Sequence, residues 1–428
     1  MPEMYKTPPD HPANRPFRRR VFYIPGYDPF HPRRYRELYR KEGAAQAAIS
    51  GYALTLRPKK AGGPYGWQVE GVIGGQVAQA EIEVLVWSDL VRTSMATGIP
   101  GTYLQLIRTA WAYIGSGALF RLAALRKGPM IAALYPIVML LVQLCVAVGV
   151  GVLVWWGVVG LHGALMERLE GPRLFATGFV AVIYGGLALG LVALWLTLRW
   201  FRAMDSRFYA YYLMHDYAYS AQVGGANPPA LEARMDLFRT AIRAAMDAGH
   251  DEVLVVGHSS GAHLAVSILA DMLRAGVPDG PALSLLTLGH VVPMVSFLPK
   301  AGRLRRDLHD LSGADRLTWV DVTAPGDGCA FALCDPVAVT GVAPEAKLWP
   351  LVLSASFTQT LSPERWRALR WKFFRLHFQY LCAFDRPRDY DYFQITAGPV
   401  PLGQRYASRK PSASRIETPR SGYRDMTR

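Results

Sequence analysis

Two uncharged apolar stretches constrain this chain more than any other feature. From Met130 to Leu161, and again from Leu174 to Leu198, the sequence contains no Asp, Glu, Lys or Arg. A bilayer core of about 30 Å is crossed by roughly 20 apolar helical residues, and both runs exceed that length. A soluble helix this long carries a polar face, and these runs have none. Trp155 and Trp156 in the first run, and Trp195 and Trp200 in and just after the second, fall where interfacial aromatics sit. The connector, residues 162 to 173, is short, so a transmembrane hairpin is expected over residues 128 to 202. Its charges (Glu167, Arg168, Glu170, Arg173) cancel, whereas Arg121, Arg126 and Lys127 precede the hairpin and Arg199 and Arg202 close it. By the positive-inside rule both flanks, and with them both termini, are expected in the cytoplasm.

Elsewhere the composition narrows the classes of function. Hydrophobic residues make up 51% of the 428, charged residues 19%, and the formal net charge is +14. On a membrane protein that balance suits an anionic lipid surface. No zinc-type Cys/His spacing or RNA-binding aromatic motif points to nucleic acid, which is not expected as a partner. The four cysteines (Cys145, Cys329, Cys334, Cys382) show no framework spacing, and a reducing compartment suits them. The opening MPEMYKTPPDHPANRPFRRR lacks an apolar core, so no cleavable signal peptide is expected.

Residues 1 to 17, Pro-rich and polar, are expected to form a flexible arm. Strands are predicted at Val21–Ile24, Tyr52–Pro58 and Ala80–Trp87. The segment from 103 to 127 reads as a helix, apolar on one side (Leu106, Ile107, Trp111, Ile114, Phe120, Leu122, Leu125), with Arg108, Arg121, Arg126 and Lys127 among its polar positions. Such a helix suits the headgroup layer or the face of a sheet. After the hairpin, Leu231, Met235, Phe238, Ile242 and Met246 recur at helical spacing. EVLVVGHSSGAHLAVSILADMLRAG then reads as strand, tight turn and helix. ALSLLTLGH, LTWVDVTA and LWPLVLSASF are further candidate strands, and Pro363–Phe384 looks helical. The polar, basic stretch 403–428 is expected to be disordered. A domain in two parts, 18–127 and 203–402, therefore brackets the hairpin.

The chemistry concentrates at Gly257-His258-Ser259-Ser260-Gly261. A β-branched apolar run leads into this GxSxG and a small-residue helix leaves it, the setting in which a sharp strand-to-helix turn projects a serine hydroxyl clear of a sheet. The segment resembles the nucleophile elbow of the α/β-hydrolase superfamily. The resemblance implies an α/β fold with a mostly parallel sheet flanked by helices, here interrupted by the hairpin. It also implies a chain order of nucleophile, acid, histidine. Of the histidines after Ser259, His263, His290 and His309 precede any plausible acid, which leaves His377 in FFRLHFQYL. The acid is expected at Asp327, on the turn APGDG after a strand, with Asp335 as the alternative; Asp321, inside the strand, reads as structural. By the same resemblance the oxyanion hole takes the amide of Ser260 and, from the early loop IPGYDP, that of Tyr27. His258 is expected to be structural.

The implied activity is a serine esterase or lipase-like carboxylic ester hydrolysis: Ser259 as nucleophile, His377 as base, Asp327 orienting it, with no cofactor or metal required. The hairpin favours a lipid or other apolar acyl substrate. Two alternatives remain open at this point: an acyltransferase with the same residues, and a catalytically inactive membrane scaffold.

Overall fold

The β-rich run Val21–Ile24 forms one strand with the arginine triplet before it, β1 (Phe17–Ile24), and the sheet is arranged around it. The computed structural model describes residues 15–59, 63–169 and 172–427. The sheet also contains β2 (Ala53–Pro58), β3 (Gly66–Ile73), β4 (Gln76–Val84), β5 (Glu252–His258), β6 (Ala282–Leu288), β7 (Thr318–Thr323) and β8 (Leu351–Ser354), in the order β2-β3-β4-β1-β5-β6-β7-β8. β1 pairs in parallel with β4 on one side and β5 on the other, Val21 lying opposite Ile82 and Leu254. The strands β5 to β8 continue in parallel, whereas β2, β3 and β4 form an antiparallel meander at one edge. The chain is thus α/β with a mostly parallel eight-stranded sheet. Every residue of β5 is buried, the pattern of a parallel strand covered on both faces.

β3 was not predicted from the sequence. Its link to β4 is the pair Gly74-Gly75, both at positive φ (60° and 79°), which fits a tight two-residue hairpin between Ile73 and Gln76.

The chain divides into two compact units. The first holds the sheet, with residues up to 94, 111–131 and those from 220 onward. Its core joins Val21, Ile82, Leu254, Val256 and Val322 from the strands to Tyr39, Tyr380 and Phe393 from flanking segments. Burying one such side chain contributes about 1.5–3 kcal/mol. A buried ion pair crosses the sheet: Arg19 Nε donates to Glu252 Oε2 at 2.6 Å. Arg19 also donates to the carbonyls of Gly398 and Val400, and Glu252 accepts from Ser284 and from the amide of Leu402. These bonds satisfy both charges and stitch the segment after residue 397 to the sheet.

The tail beyond that point is ordered, not disordered as its composition suggests. Ile416 bonds in both directions with the 333–335 backbone, the amide of Arg420 donates to Val339, and Arg305 donates to the carbonyl of Asp425. Basic residues of the tail find carboxylates: Arg409 pairs with Asp389, and Arg415 with Glu417. A Cβ on Gly302 would lie 1.9 Å from the carbonyl oxygen of Thr427, so the tail packs flush against the start of the helix Gly302–Ser312. Of the expected N-terminal arm, residues 1–14 lie outside the described residues; Arg15 is tied to Asp251 at 2.5 Å and Phe17 already belongs to β1.

The second unit, residues 95–110 and 132–219, is helical. The helices Lys127–Leu169 and Pro172–Ala203 carry the two apolar runs. The first continues to Leu169, so most of the expected 162–173 connector is helical; residues 170–171 lie outside the described residues. The two helices cross at Gly151 and Gly190: a Cβ on either would come within 2.8 Å of the other's carbonyl oxygen. Small residues at a crossing let backbones approach closely. A buried cluster (Leu140, Ala147, Leu198, Tyr211, Met214, Ala218) joins them to the Tyr-rich helix Ala210–Ala221. The outward faces remain apolar and uncovered, with Leu153, Trp156, Leu161 and Tyr184 exposed. Both helices are long and apolar enough to cross a membrane.

The predicted helix at 103–127 is two helices, Ile99–Gly115 and Ala118–Leu125, broken at Gly117 with φ 70°. Its apolar residues point two ways: Leu106, Leu122 and Leu125 are buried, whereas Ile107, Trp111, Ile114 and Phe120 are exposed. Arg121 and Arg126 donate to the carbonyls of Arg420 and Ala332.

Candidate active site

β5 ends in a turn that only small residues permit. Ser259, immediately after the strand, has φ 56°, a left-handed conformation rare for a non-glycine residue. Its amide donates to Leu288 at the end of β6 (2.9 Å), which fixes the turn to the neighbouring strand. The glycines on either side are required by contact. A Cβ on Gly257 would meet the backbone of Gly261 and Ala262 at 2.7–2.8 Å, and one on Gly261 would lie 2.1 Å from the carbonyl oxygen of Ile24. The helix Gly261–Arg274 therefore starts directly against the end of β1. Ser259 itself is half-buried, between the fully buried His258 and Ser260.

The loop after β1 reaches the same serine. Gly26 sits so close that an added Cβ would fall 2.9 Å from Cβ and 3.4 Å from Oγ of Ser259. Trp87 holds the loop by donating from Nε1 to the carbonyl of Pro25 at 3.0 Å. The Tyr27 hydroxyl pairs with Ser94 Oγ at 2.5 Å, and its ring meets Trp87 edge-on. Of the two residues expected to supply oxyanion amides, Ser260 follows Ser259 in the elbow, and Tyr27 follows Gly26, the residue of this loop that touches the serine.

Fifty residues apart in sequence, Asp327 and His377 meet: His377 Nδ1 lies 2.7 Å from Asp327 Oδ2, and both are buried. Asp327 is on the turn just past β7, at the carboxyl edge of the sheet where Ser259 also sits. Its other oxygen accepts the amide of Cys329 at 2.9 Å, and the Tyr380 hydroxyl donates to Oδ2 at 3.0 Å. Burial alone would raise this carboxyl, but the adjacent His377 and these hydrogen bonds outweigh it and hold the group below the usual carboxylate range. Tyr380 is fixed in turn by the amide of Ala324, which donates to its hydroxyl.

His377 is the last residue of the short helix Phe373–His377, where the predicted continuous helix 363–384 is in fact broken into separate turns. Its backbone carbonyl faces His258 Nε2 at 3.1 Å, and the two rings lie 4.9 Å apart. Burial pushes His258 down to about 3, so it stays neutral beside His377 and acts as a fixed hydrogen-bonding wedge. Gly289, at φ 53° after β6, leaves room for the ring: a Cβ there would come within 3.1 Å of His377 Cε1. Ser259 and His377 are therefore both set against the Leu288–Gly289 turn, and no hydrogen bond joins Ser259 Oγ to the imidazole among the described residues.

The remaining candidates lie elsewhere. Asp335 caps the helix Pro336–Thr340 by accepting from the amides of Val337 and Ala338, and it pairs with Lys347. Asp321 is buried within β7, accepts from Thr287 Oγ1 at 2.6 Å, and is pushed up to about 6 mainly by desolvation. His290 faces the carbonyl of Cys334, and His309 that of Val342. Asp327, Cys329 and His377 place possible ligand atoms within 4.8 Å of one another, although two of the three already bond to each other.

No protein-family model, curated protein or solved structure matches this chain.

Any functional reading therefore rests on the site's own residues. Sequence reasoning missed Tyr380, Trp87 and Gly289. Tyr380 was within reach, because it lies three positions after His377, close enough for both to serve one carboxylate.

Proposed function

We propose that this chain is a membrane-rooted serine hydrolase of the α/β-hydrolase type that cleaves the carboxylic ester of a lipid or another apolar acyl substrate. The observation that carries the reading is the buried 2.7 Å contact between His377 Nδ1 and Asp327 Oδ2, beside a strained serine on a strand-to-helix turn. In this mechanism Ser259 Oγ attacks the acyl carbonyl while His377 Nε2 accepts its proton. Asp327 holds the imidazole with Nδ1 protonated and stabilises the cation that forms. The amides of Ser260 and Tyr27 receive the developing oxyanion. Collapse of the tetrahedral species expels the alcohol, which takes the proton from His377. Water, deprotonated by the same imidazole, then attacks the acyl-enzyme, releasing the acid and restoring Ser259. The missing Ser259–His377 hydrogen bond is compatible with this, since such bonds tighten in substrate complexes.

The membrane part of the proposal has its own support. β1 pairs with β5, and the two apolar helices lie between them in sequence. A paired sheet cannot be divided by a bilayer, so the chain must cross an even number of times. A two-helix hairpin does this, and the flanking cations put the sheet and both termini on the cytoplasmic side.

A fluorophosphonate probe tests the reading. Wild-type protein is expected to be labelled covalently and Ser259→Ala not at all; a folded wild type that fails to react would leave only the scaffold alternative. Asp335→Ala separates the two carboxylates considered for the acid. Loss of the cap and of Lys347's partner is expected to destabilise the protein by about 2 kcal/mol, while turnover of a soluble ester per folded molecule stays unchanged. A selective loss of turnover would transfer the acid's role to Asp335.

A further inference from the structure

We propose that the turn from Pro363 to Arg375 is a second membrane anchor, with Trp371 and Phe373 seated in the same leaflet that the helix Lys127–Leu169 enters, and its cations against anionic headgroups. The inference rests on the membrane reading above. Trp371 and Phe373 are 72% and 49% exposed, an unusual placement for two large aromatics two positions apart. Arg367, Arg370, Lys372 and Arg375 surround them and are exposed as well. The neighbouring acid, Glu364, pairs with Arg367, and the Arg370 guanidinium lies 5.5 Å from the Trp371 ring centroid. Aromatic rings interleaved with basic side chains are what an anionic interface recognises: the rings enter the headgroup layer and the cations meet the phosphates. The turn is rigid enough to present them, because Leu369 and Leu376 are buried and Lys372 bonds to both through its backbone.

Position selects the bilayer as the occupant. Phe373 packs against Gly328, where a Cβ would come within 3.3 Å of its ring. A Cβ on Gly128, in the first turn of the apolar helix, would lie 3.3 Å from Cα and O of the same Gly328. The foot of the apolar helix, the loop carrying Asp327 and the exposed aromatic are thus consecutive neighbours. A leaflet entered near Gly128 must pass close to Phe373. Seating the turn there holds Asp327 and His377, the latter two residues beyond Arg375, at the lipid surface.

The test uses the full chain, freed of Cys329, Cys334 and Cys382 and, except where it carries the label, of Cys145, in phosphatidylcholine vesicles with and without phosphatidylglycerol. Single spin labels are placed at Trp371→Cys, Phe373→Cys, Asp279→Cys and the native Cys145. Asp279 precedes β6, at the opposite edge of the sheet from Asp327. The ratio of collisions with oxygen to those with a water-soluble nickel complex is expected to be several-fold higher at 371 and 373 than at 279, and to fall without phosphatidylglycerol. Labels at 371 and 373 as wet as that at 279, with Cys145 in lipid, would overturn this anchor and leave the hairpin standing. A wet Cys145 would overturn the membrane reading and the anchor together. Should cysteine removal unfold the chain, hydrogen exchange of the wild type in nanodiscs decides instead. Exchange across 363–377 is expected to slow when phosphatidylglycerol is present, and unchanged exchange would refute the anchor.

Discussion

Replacing His377 with alanine is expected to lower turnover of a soluble ester by roughly 10⁴- to 10⁶-fold with the fold intact. The base is lost, and a serine hydroxyl without one is a poor nucleophile. The fold should survive because the contact to His258 uses the backbone carbonyl of His377, which alanine keeps. Asp327→Asn should cost roughly 10⁴-fold for a related reason. The carboxylate receives donors at both oxygens: the Cys329 amide at one, His377 and Tyr380 at the other. An asparagine has a single acceptor oxygen, so one orientation sets its NH₂ against the imidazole N–H and the other against the Cys329 amide. Steady-state kinetics with a short-chain ester, alongside thermal melting, measures both effects. Turnover within tenfold of wild type in folded His377→Ala would show that some other group is the base and that the Asp327–His377 pair is structural.

These residues were not equally legible in the sequence. The elbow was readable because its requirements are local: five consecutive residues, a preceding β-branched run and glycines where Cβ atoms cannot fit. The apolar helices were readable for the same reason, since the absence of charge over a long run needs no tertiary context. His377 could be reached only through the chain order that a family resemblance implies. Its partner is 50 residues away, and its own segment reads as a helix that the structure interrupts. The C-terminal stretch misled because composition reports what a segment lacks, not what surface awaits it. Its backbone is taken up by residues 333–339, and Gly302 leaves the space in which Thr427 lies. In the 103–127 segment, apolar periodicity identified the helices but could not separate the side packed on protein from the side left exposed. The proposal of an α/β-hydrolase fold is carried by the elbow and the acid–histidine pair, because a mostly parallel sheet is shared by folds of many functions.

The elbow itself yields the second large expectation. Gly261→Ala should lower the melting temperature by roughly 5–10 °C and depress turnover as well. The added methyl would fall 2.1 Å from the carbonyl oxygen of Ile24 and 2.7 Å from that of Pro25. Carbon–oxygen contacts close at about 3.3 Å, so the overlap exceeds 1 Å, and both obstacles are backbone. No rotamer change relieves it. Either the helix 261–274 withdraws from β1 or the 24–27 loop is driven outward, and that loop carries Gly26 against Ser259. Stability and activity should therefore fall together, unlike in His377→Ala, where activity falls alone. Gly313→Ala is the control: its Cβ would meet only Pro344 at 3.6 Å, and its φ of −96° suits any residue. If differential scanning calorimetry and ester kinetics found Gly261→Ala indistinguishable from Gly313→Ala, then β1 does not press on the elbow as described. Ser259 would then have lost the contact that holds it beside the 24–27 loop.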